Sequence, residues 1–245
     1  MKKQLSMALA AACLAAPLWA ADHAHWGYSG HDGPQHWGQL DPAYSSCASG
    51  RQQSPVNLHG FADGKLPPIR FQYGAGGHEL FNNGHTVQVN YTVGSDITLD
   101  GHRYDLKQFH FHSPSENRID GKSYPLEAHF VHADAQGHLA VVAVMFQLGE
   151  ENKALDEAWN VLPMHSGDHH VMHKTVLAGD LLPRDKSYYR YDGSLTTPPC
   201  SEGVVWLVMK TPLQVSQAQL DKFSQAVHGP NNRPLQALNG RVVLQ

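Results

Sequence analysis

Charge is scarce in this chain, and neither sign dominates. Only 16% of the 245 residues are charged, and 18 lysines and arginines against 22 aspartates and glutamates give a formal net charge of −4. A chain without a basic field is not expected to bind nucleic acid, so that class of partner is excluded. There is no internal repeat or low-complexity tract, and 41% hydrophobic residues are enough to form a folded core.

Long apolar stretches are few, and the first one stands at the beginning of the chain. Two lysines precede an apolar run of small residues from Leu5 to Ala16, and the segment closes at Ala20. This order is typical of a secretory signal peptide, and the run is too short to span a membrane comfortably. We therefore predict a signal peptide over residues 1–20 and a mature domain over 21–245. The mature protein is expected to be periplasmic or secreted, with no membrane attachment after cleavage.

Cysteine is scarce, with three residues in the chain. A lipoprotein cleaved at Cys13 is one alternative to simple export, although Ala10 stands where a lipobox usually has leucine; a retained membrane anchor is another. Signal removal leaves Cys47 and Cys200, and two cysteines in an exported protein indicate one disulfide. Two free buried thiols are the alternative.

Few segments have the periodicity of a helix. Residues 152–162 and 216–227 do, and the second opens with a Ser-x-x-Gln capping box. Most of the chain beyond Glu79 consists of β-type runs such as HTVQVNYTV, DITLDGHRYDL with an Asp-Gly turn, and the apolar LAVVAVMFQL. The N-terminal segment 23–57 is loop-like. These patterns predict a single, mostly β domain with a large sheet, long loops and two or three short helices.

Two of these strand-like runs carry histidines in matching positions. In QFHFHSPSEN, the side chains of Gln108, His110 and His112 share one face of a strand because successive side chains alternate. In PLEAHFVHAD, Glu127 and His129 are placed in the same way. If the two strands are antiparallel neighbours, three imidazoles converge.

Three converging imidazoles suit a catalytic zinc ion. Three neutral histidines leave the fourth position of tetrahedral Zn²⁺ open for water, whereas structural zinc sites are closed by four protein ligands. Gln108 and Glu127 stand two residues before a histidine, where each can accept the second ring N–H and fix its orientation. The sequence therefore predicts a zinc site of His110, His112 and His129.

A rival interpretation uses the same stretch. His110-x-His112-x3-Glu116 also matches the iron or manganese motif of cupins, which are β-barrels. A cupin needs a further histidine from a later strand within a Pro- and Gly-containing motif. The next histidines, in GDHHVMH at residues 167–173, lack that frame.

Seven sequence blocks in a fixed order carry a family resemblance. They are HWGYSGHDGPQHW at 25–37, QQSPVNL at 52–58, NNGHTVQV at 82–89, QFHFHSPSEN, PLEAHFVH at 125–132, LAVVAVMF, and GSLTTPPCSEGVVW at 193–206. With these blocks the chain resembles an α-class carbonic anhydrase of the bacterial secreted (periplasmic) type, along nearly its whole mature length.

The resemblance implies a fold and an activity. The fold is a central, mainly antiparallel ten-stranded twisted sheet, with Zn²⁺ held by His110, His112 and His129 at the floor of a conical cleft. The activity is the zinc-dependent reversible hydration of carbon dioxide to bicarbonate and a proton, via zinc-bound hydroxide. Anions and sulfonamides are the implied inhibitors, and Cys47 and Cys200 match the disulfide of secreted members.

The resemblance also gives roles to residues that spacing alone would not single out. Thr196 resembles the threonine that accepts a hydrogen bond from the hydroxide and donates its own proton to a glutamate, here Glu116. His85 resembles the histidine that carries protons to solvent, for which an unperturbed pKa of about 6.5 is suitable. Further positions order water in the cleft (Tyr28, Asn83 and Thr197) or form the apolar wall for CO₂ (Val131, Val141, Leu195, Val204 and Trp206).

Two departures and two alternatives accompany the resemblance. Ser113-Pro114 stands where vertebrate enzymes have Trp-Gly, and Asn117 replaces a histidine, but neither change touches a ligand. One alternative is a catalytically weak carbonic anhydrase-like binding module. The other is a periplasmic metal-binding protein, suggested by the histidines at 23, 25, 31 and 36. The number of metal ions bound per chain separates the second alternative from the enzyme, because the enzyme should hold one zinc tightly and the metal-binding protein several ions weakly.

Overall fold

The computed structural model of the protein describes residues 24–74 and 76–245, so the predicted signal peptide lies outside the described residues. The strands are β1 (Asn57–Leu58), β2 (Arg70–Gln72), β3 (Gly77–Asn82), β4 (Val87–Tyr91), β5 (Asp96–Leu99), β6 (His102–His112), β7 (Arg118–Ile119), β8 (Leu126–Ala133), β9 (Leu139–Leu148), β10 (His169–Val176), β11 (Tyr188–Ser194), β12 (Glu202–Met209) and β13 (Leu213–Val215). The α-helices are α1 (Trp37–Leu40), α2 (Ser46–Ser49), α3 (Asp156–Asn160) and α4 (Gln217–Ala226), and short 3-10 turns cover Gly30–Asp32, Pro42–Tyr44, Lys153–Leu155 and Ala178–Leu181.

One large sheet dominates the fold. Its main path runs β10-β3-β4-β6-β8-β9-β12-β11, with β5 and then β2 extending from β6 and with β13 beside β9. All neighbours are antiparallel except β12 and β13, which are each parallel to β9. The predicted mostly β domain with a mainly antiparallel sheet is confirmed. Over the described residues the sheet has eleven strands rather than ten, and β1 and β7 form a separate parallel pair.

The strongest strand signals in the sequence fall on real strands. The run LAVVAVMFQL coincides with β9, whose residues from 140 to 146 are all buried, as expected for a strand covered on both faces. The Asp-Gly turn joins β5 to β6, and Asp100 and Gly101 both have positive φ, 51° and 81°. Both central residues of a tight hairpin turn need this conformation.

The helices follow the sequence signals less closely. Helix α4 begins after Ser216, whose side chain and that of Gln219 form the predicted capping box. The predicted helix over 152–162 is a 3-10 turn followed by the five-residue α3. The segment predicted as a loop, 23–57, winds through α1, α2 and two 3-10 turns within its described part. These turns surround Trp37, whose indole N–H donates to the carbonyls of Gly27 and Asp32.

Two hydrophobic clusters lie on opposite faces of the sheet. The larger one packs aromatic side chains from β6 and β8 against α3 and α4, as at Phe111, Trp159 and Phe223. The smaller one lies on the other face and contains Val141 and Trp206. Because side chains alternate along β6 and β8, the histidines face the side of the smaller cluster.

A disulfide ties the N-terminal segment to a loop on the cleft side of the sheet. Cys47 in α2 is bonded to Cys200, with the two Cα atoms 5.0 Å apart, so the predicted pairing is confirmed. Cys200 follows Thr196 and Thr197 closely in sequence. Within residues 24–74 and 76–245, no helix has both the length and the apolar character needed to cross a bilayer.

Candidate metal centre

Three histidines converge on one point at the floor of a cleft. Strands β6 and β8 are antiparallel neighbours, as predicted, and His110 lies directly opposite His129. With His112, they place one ring nitrogen each within 4.8 Å of one another. Among the described residues, no other group of three histidine, cysteine or acidic side chains meets in this way.

Two of the three rings have one nitrogen hydrogen-bonded to the protein, and the third has one nitrogen close to a carboxylate. His110 Nδ1 lies 2.8 Å from Gln108 Oε1, and His112 Nδ1 lies 2.7 Å from a backbone carbonyl, that of Asn231. His129 Nε2 lies 3.0 Å from an oxygen of Glu127, although the pair does not reach hydrogen-bonding geometry. The nitrogens left for a metal are therefore Nε2 of His110, Nε2 of His112 and Nδ1 of His129.

Burial keeps these imidazoles neutral. It is the main cause that holds the pKa of His110 and of His129 well below the ordinary value, with neighbouring histidines adding to it. Burial also lowers the pKa of His112, against the opposing effects of the Asn231 carbonyl and Glu127. His112 Nε2 is buried and has no hydrogen-bond partner in the described part of the chain. Neutral rings with unpartnered nitrogens fit a bound metal ion, because a histidine must be deprotonated to ligate.

Glu127 is held rigidly behind the histidines. It is fully buried, and its Oε2 accepts the backbone N–H groups of Glu116 at 2.7 Å and Asn117 at 2.9 Å. Its Oε1 accepts the Asn117 side-chain amide at 2.8 Å. Burial raises the pKa of Glu127, while the hydrogen bonds from Asn117 oppose that rise.

Glu116 points at the same place as the ligand nitrogens. Its Oε2 lies 3.6 Å from His112 Nε2 and 3.9 Å from His129 Nδ1, and it has no hydrogen-bond partner among the described residues. Its Oε1 accepts the backbone N–H of Arg233 at 2.8 Å. Burial raises the pKa of Glu116 to about 8, against the lowering effects of this N–H and the nearby Thr196 hydroxyl. The Thr196 hydroxyl thus lies close enough to this carboxyl group to affect its pKa.

The polar side of the cleft is a cavity of about 140 Å³. It contains the predicted Tyr28, Asn83, His85 and Thr197 beside the ligand histidines. The Tyr28 hydroxyl is buried without a partner in the described chain, and burial, followed by the charge of Glu116, raises its pKa well above the ordinary value. A buried orphan hydroxyl aimed into a polar cavity is suited to hold an ordered water molecule.

The apolar side of the cleft is a smaller cavity of about 110 Å³. Four of the five predicted wall residues line it together with the histidines: Val131, Val141, Leu195 and Trp206. Val204 does not line the cavity. It is buried in the hydrophobic cluster that contains Val141 and Trp206, so it supports the wall from behind.

His85 stands on a tightly fixed turn between β3 and β4. The Asn83 side chain accepts the backbone N–H groups of His85 and Thr86, each at 2.9 Å. The His85 ring stacks on the indole of Trp26, with ring centroids 3.6 Å apart. Burial, followed by the charge of His25, lowers the pKa of His85 to about 4. The ring is therefore much less basic than the unperturbed imidazole assumed from the sequence.

Some residues of the site carry no signal in the sequence. Asn231 supplies the carbonyl at His112, and Arg233 supplies the N–H at Glu116, yet both lie in an irregular segment more than 100 residues from their partners. The sequence suggests for Trp26 only a packing role beside Trp37, and the two rings are in contact. Its stack with His85 depends on the path of the N-terminal segment.

Comparisons with known proteins agree with this site. Residues 32–245 match the family described as eukaryotic-type carbonic anhydrase. The chain is 46% identical to the carbonic anhydrase of Pectobacterium atrosepticum over 245 residues, covering 100% of both chains, and 48% identical to that of Neisseria gonorrhoeae, covering 99% of this chain and 96% of the relative. It also matches the solved structure of the α-carbonic anhydrase from Thermovibrio ammonificans in complex with the inhibitor sulfanilamide. That match has a TM-score of 0.89 and 46% identity, and it covers 91% of this chain and 99% of the other.

Proposed function

Since the chain belongs to the eukaryotic-type, or α-class, carbonic anhydrase family, we propose here which of its side chains carry each part of the reaction. The chain is a zinc enzyme that reversibly hydrates carbon dioxide to bicarbonate and a proton. The observation that carries the proposal is the convergence of three neutral histidines, two of them buried and His110 half-buried, beside an apolar cavity.

His110 and His112 would hold the zinc ion through Nε2, and His129 through Nδ1. Bound zinc supplies a nucleophile at neutral pH by lowering the pKa of water to about 7, a value established for carbonic anhydrases themselves. Gln108 and the Asn231 carbonyl fix the rings of His110 and His112 through their other nitrogens, and Glu127 stands 3.0 Å from the other nitrogen of His129. The orientations of the His110 and His112 rings are thus set before the metal binds.

Thr196 and Glu116 would orient the oxygen that attacks carbon dioxide. The Thr196 hydroxyl can accept a hydrogen bond from that oxygen only if its own proton is directed elsewhere. Glu116 is the buried acceptor beside it, and it is itself fixed by the Arg233 N–H. A fixed hydroxyl favours one direction of attack, which reduces the orientational entropy lost at the transition state.

The apolar wall would hold carbon dioxide beside the position of the metal ion. This dry surface suits carbon dioxide, a small linear molecule without a dipole, because it presents no competing hydrogen-bond donor. It is formed by Val131, Val141, Leu195 and Trp206. Thr196 and Thr197 border the same cavity, so a molecule there lies within reach of the reacting oxygen. Val204 backs this wall and does not touch the substrate.

The polar cavity would carry the proton out. Tyr28, Asn83 and Thr197 can order water between the metal point and His85, and the His85 imidazole can then pass the proton to buffer. The lowered pKa of His85 makes the ring a reluctant acceptor in its stacked position. Exit of the proton is therefore expected to limit turnover in dilute buffer.

Inhibition and location extend the same proposal. The Thermovibrio relative was solved with sulfanilamide, and we expect sulfonamides and small anions to inhibit this chain at its metal point. The signal-like first twenty residues and the disulfide between Cys47 and Cys200 support a periplasmic or secreted enzyme, because disulfides persist in oxidising compartments.

The deciding experiment is stopped-flow CO₂ hydration by residues 21–245, before and after zinc removal with a chelator, with metal content measured in parallel. One zinc per chain, and fast hydration that is lost with zinc and restored by adding it, is the expected result. Several weakly held metals without hydration would favour a periplasmic metal-binding protein. One tightly held zinc without hydration would favour a binding module.

A further inference from the structure

Asn231 is buried, with 1% of its surface exposed, and it makes contacts with the strand end that carries His112. Its backbone carbonyl accepts the ring N–H of His112 at 2.7 Å. Its side-chain oxygen accepts the backbone N–H of Ser113 at 2.8 Å, and its side-chain nitrogen donates to the backbone carbonyl of Phe111 at 3.0 Å. The Asn231 side-chain amide is therefore hydrogen-bonded to the residues on both sides of His112.

The same amide reaches the turn that carries His85. The Asn231 side-chain nitrogen also donates to the backbone carbonyl of His85 at 3.0 Å. The Thr86 hydroxyl also ties the turn to the strand, since it donates to the Phe111 carbonyl at 2.6 Å. The Asn83 side chain accepts N–H groups within the turn itself, so it does not link the turn to the strand as Asn231 and Thr86 do.

We infer that the Asn231 side chain is a positioning residue that couples the metal ligand His112 to the turn of His85. One amide group satisfies three backbone groups in two separate segments, and the planar amide fixes their relative positions. Loss of that amide removes the Asn231 donor from the His85 carbonyl and the acceptor from the Ser113 N–H, whereas the Phe111 carbonyl keeps the Thr86 hydroxyl as a donor. The inference rests on the proposed roles of His112 and His85, and it assigns to Asn231 the geometry between them.

A purely structural role would have a different signature. Asn152 is a suitable comparison because its side chain also joins two segments, accepting from the Ala154 N–H and donating to the Gln214 carbonyl, and it does not line the cleft. A variant at either position loses side-chain hydrogen bonds and stability. Only the Asn231 variant should disturb both His112 and His85.

The test uses Asn231→Ala, Asn231→Asp and the control Asn152→Ala in the zinc-loaded protein. The ring protons of His85, which lie over the Trp26 indole, should resonate upfield in the NMR spectrum, and the missing signal in His85→Ala assigns them. In Asn231→Ala we expect this upfield shift to be lost and zinc to dissociate to a chelator about tenfold faster. Asn231→Asp has nearly the same volume and keeps an acceptor for Ser113, so it should fold and still lose the His85 shift.

The outcomes are distinguishable from failure of the proposed function. If Asn231→Ala lowers only the melting temperature, as Asn152→Ala should, or if it alters only one of the two readouts, the coupling is disproved. Neither the chemical shift nor the zinc dissociation rate depends on catalysis. A failure of His85 as proton carrier would instead appear as an unchanged turnover in His85→Ala.

Discussion

The imidazole of His85 lies flat on the indole of Trp26, with the ring centroids 3.6 Å apart and an angle of 7° between the planes. This position half-buries the imidazole and holds its pKa at about 4, because the charged form loses hydration. A proton donor of pKa about 7, as the water of carbonic anhydrases is, would lie about three pKa units higher. Proton transfer to the stacked ring is therefore uphill by about 4 kcal/mol.

The first prediction concerns the partner in this stack. Replacing Trp26 by alanine exposes the His85 ring to water, so the pKa of His85 should rise from about 4 toward the ordinary value near 6.5. An NMR titration of the ring measures this directly. Trp26→Phe keeps an aromatic face and should leave the pKa low. A pKa that stays near 4 in Trp26→Ala would show that other neighbours cause the burial.

The second prediction concerns His85 itself. We expect His85→Ala to slow turnover in dilute buffer by about tenfold, below the 10²–10⁴ typical of well-matched acid–base groups, because its pKa is poorly matched. Added imidazole should restore the rate, and kcat/KM should change little, since the proton leaves after bicarbonate. His59→Ala removes an exposed histidine outside the cleft and is the control. An unchanged rate in dilute buffer would remove His85 from the mechanism.

The sequence predicts well whatever depends on local periodicity. The alternation along each strand places His110 and His112 on one face of β6 and His129 on one face of β8, and the antiparallel pairing that brings them together is assumed from the sequence and is found in the structure. The capping box of α4 and the apolar strand β9 are local in the same sense. Each of these features is specified by residues within a few positions of one another.

What the sequence does not predict depends on long-range packing. Asn231 and Arg233 reach the site from an irregular segment, and no spacing rule relates them to His112 or Glu116. The pKa of His85 depends on where Trp26 comes to lie, which the turns of the N-terminal segment decide. The position of Val204 behind the wall depends on the exact packing of β12.

The third prediction concerns the support of the ligand His129. Glu127→Gln should retain zinc but release it about 10–100-fold faster, because the amide cannot orient the His129 ring as the carboxylate does. It should also lower the free energy of unfolding by about 1–3 kcal/mol, since Glu127 accepts three hydrogen bonds from residues 116 and 117. His129→Ala, which removes a ligand, should lose most zinc and activity. Full zinc occupancy in His129→Ala would overturn the ligand assignment.

The last prediction concerns a buried histidine on the opposite face of β8. His132 is fully buried, with Nε2 2.7 Å from the Tyr73 hydroxyl and Nδ1 3.2 Å from the Ala140 carbonyl. Both contacts suit the neutral ring, because the Tyr73 hydroxyl can donate to Nε2 while Nδ1–H donates to the Ala140 carbonyl. Burial lowers the pKa of His132 to about 4, against the raising effects of the backbone groups of Ala140 and Phe130.

Because the unfolded chain binds this proton near pH 6.5 and the folded chain only near pH 4, stability should fall as the pH drops through that window. Between pH 7 and 4.5, His132 alone should account for about 2 kcal/mol of that loss. Denaturant unfolding of the zinc-free protein at pH 7 and pH 4.5 measures this loss of stability. Without zinc, the ligand histidines make the same contribution in every variant. His132→Gln should lose less stability on acidification than the parent chain, whereas exposed His59→Gln should match the parent. If His132→Gln lost as much stability on acidification as the parent chain, the His132 ring of the parent would already be protonated, or already hydrated, in the folded protein.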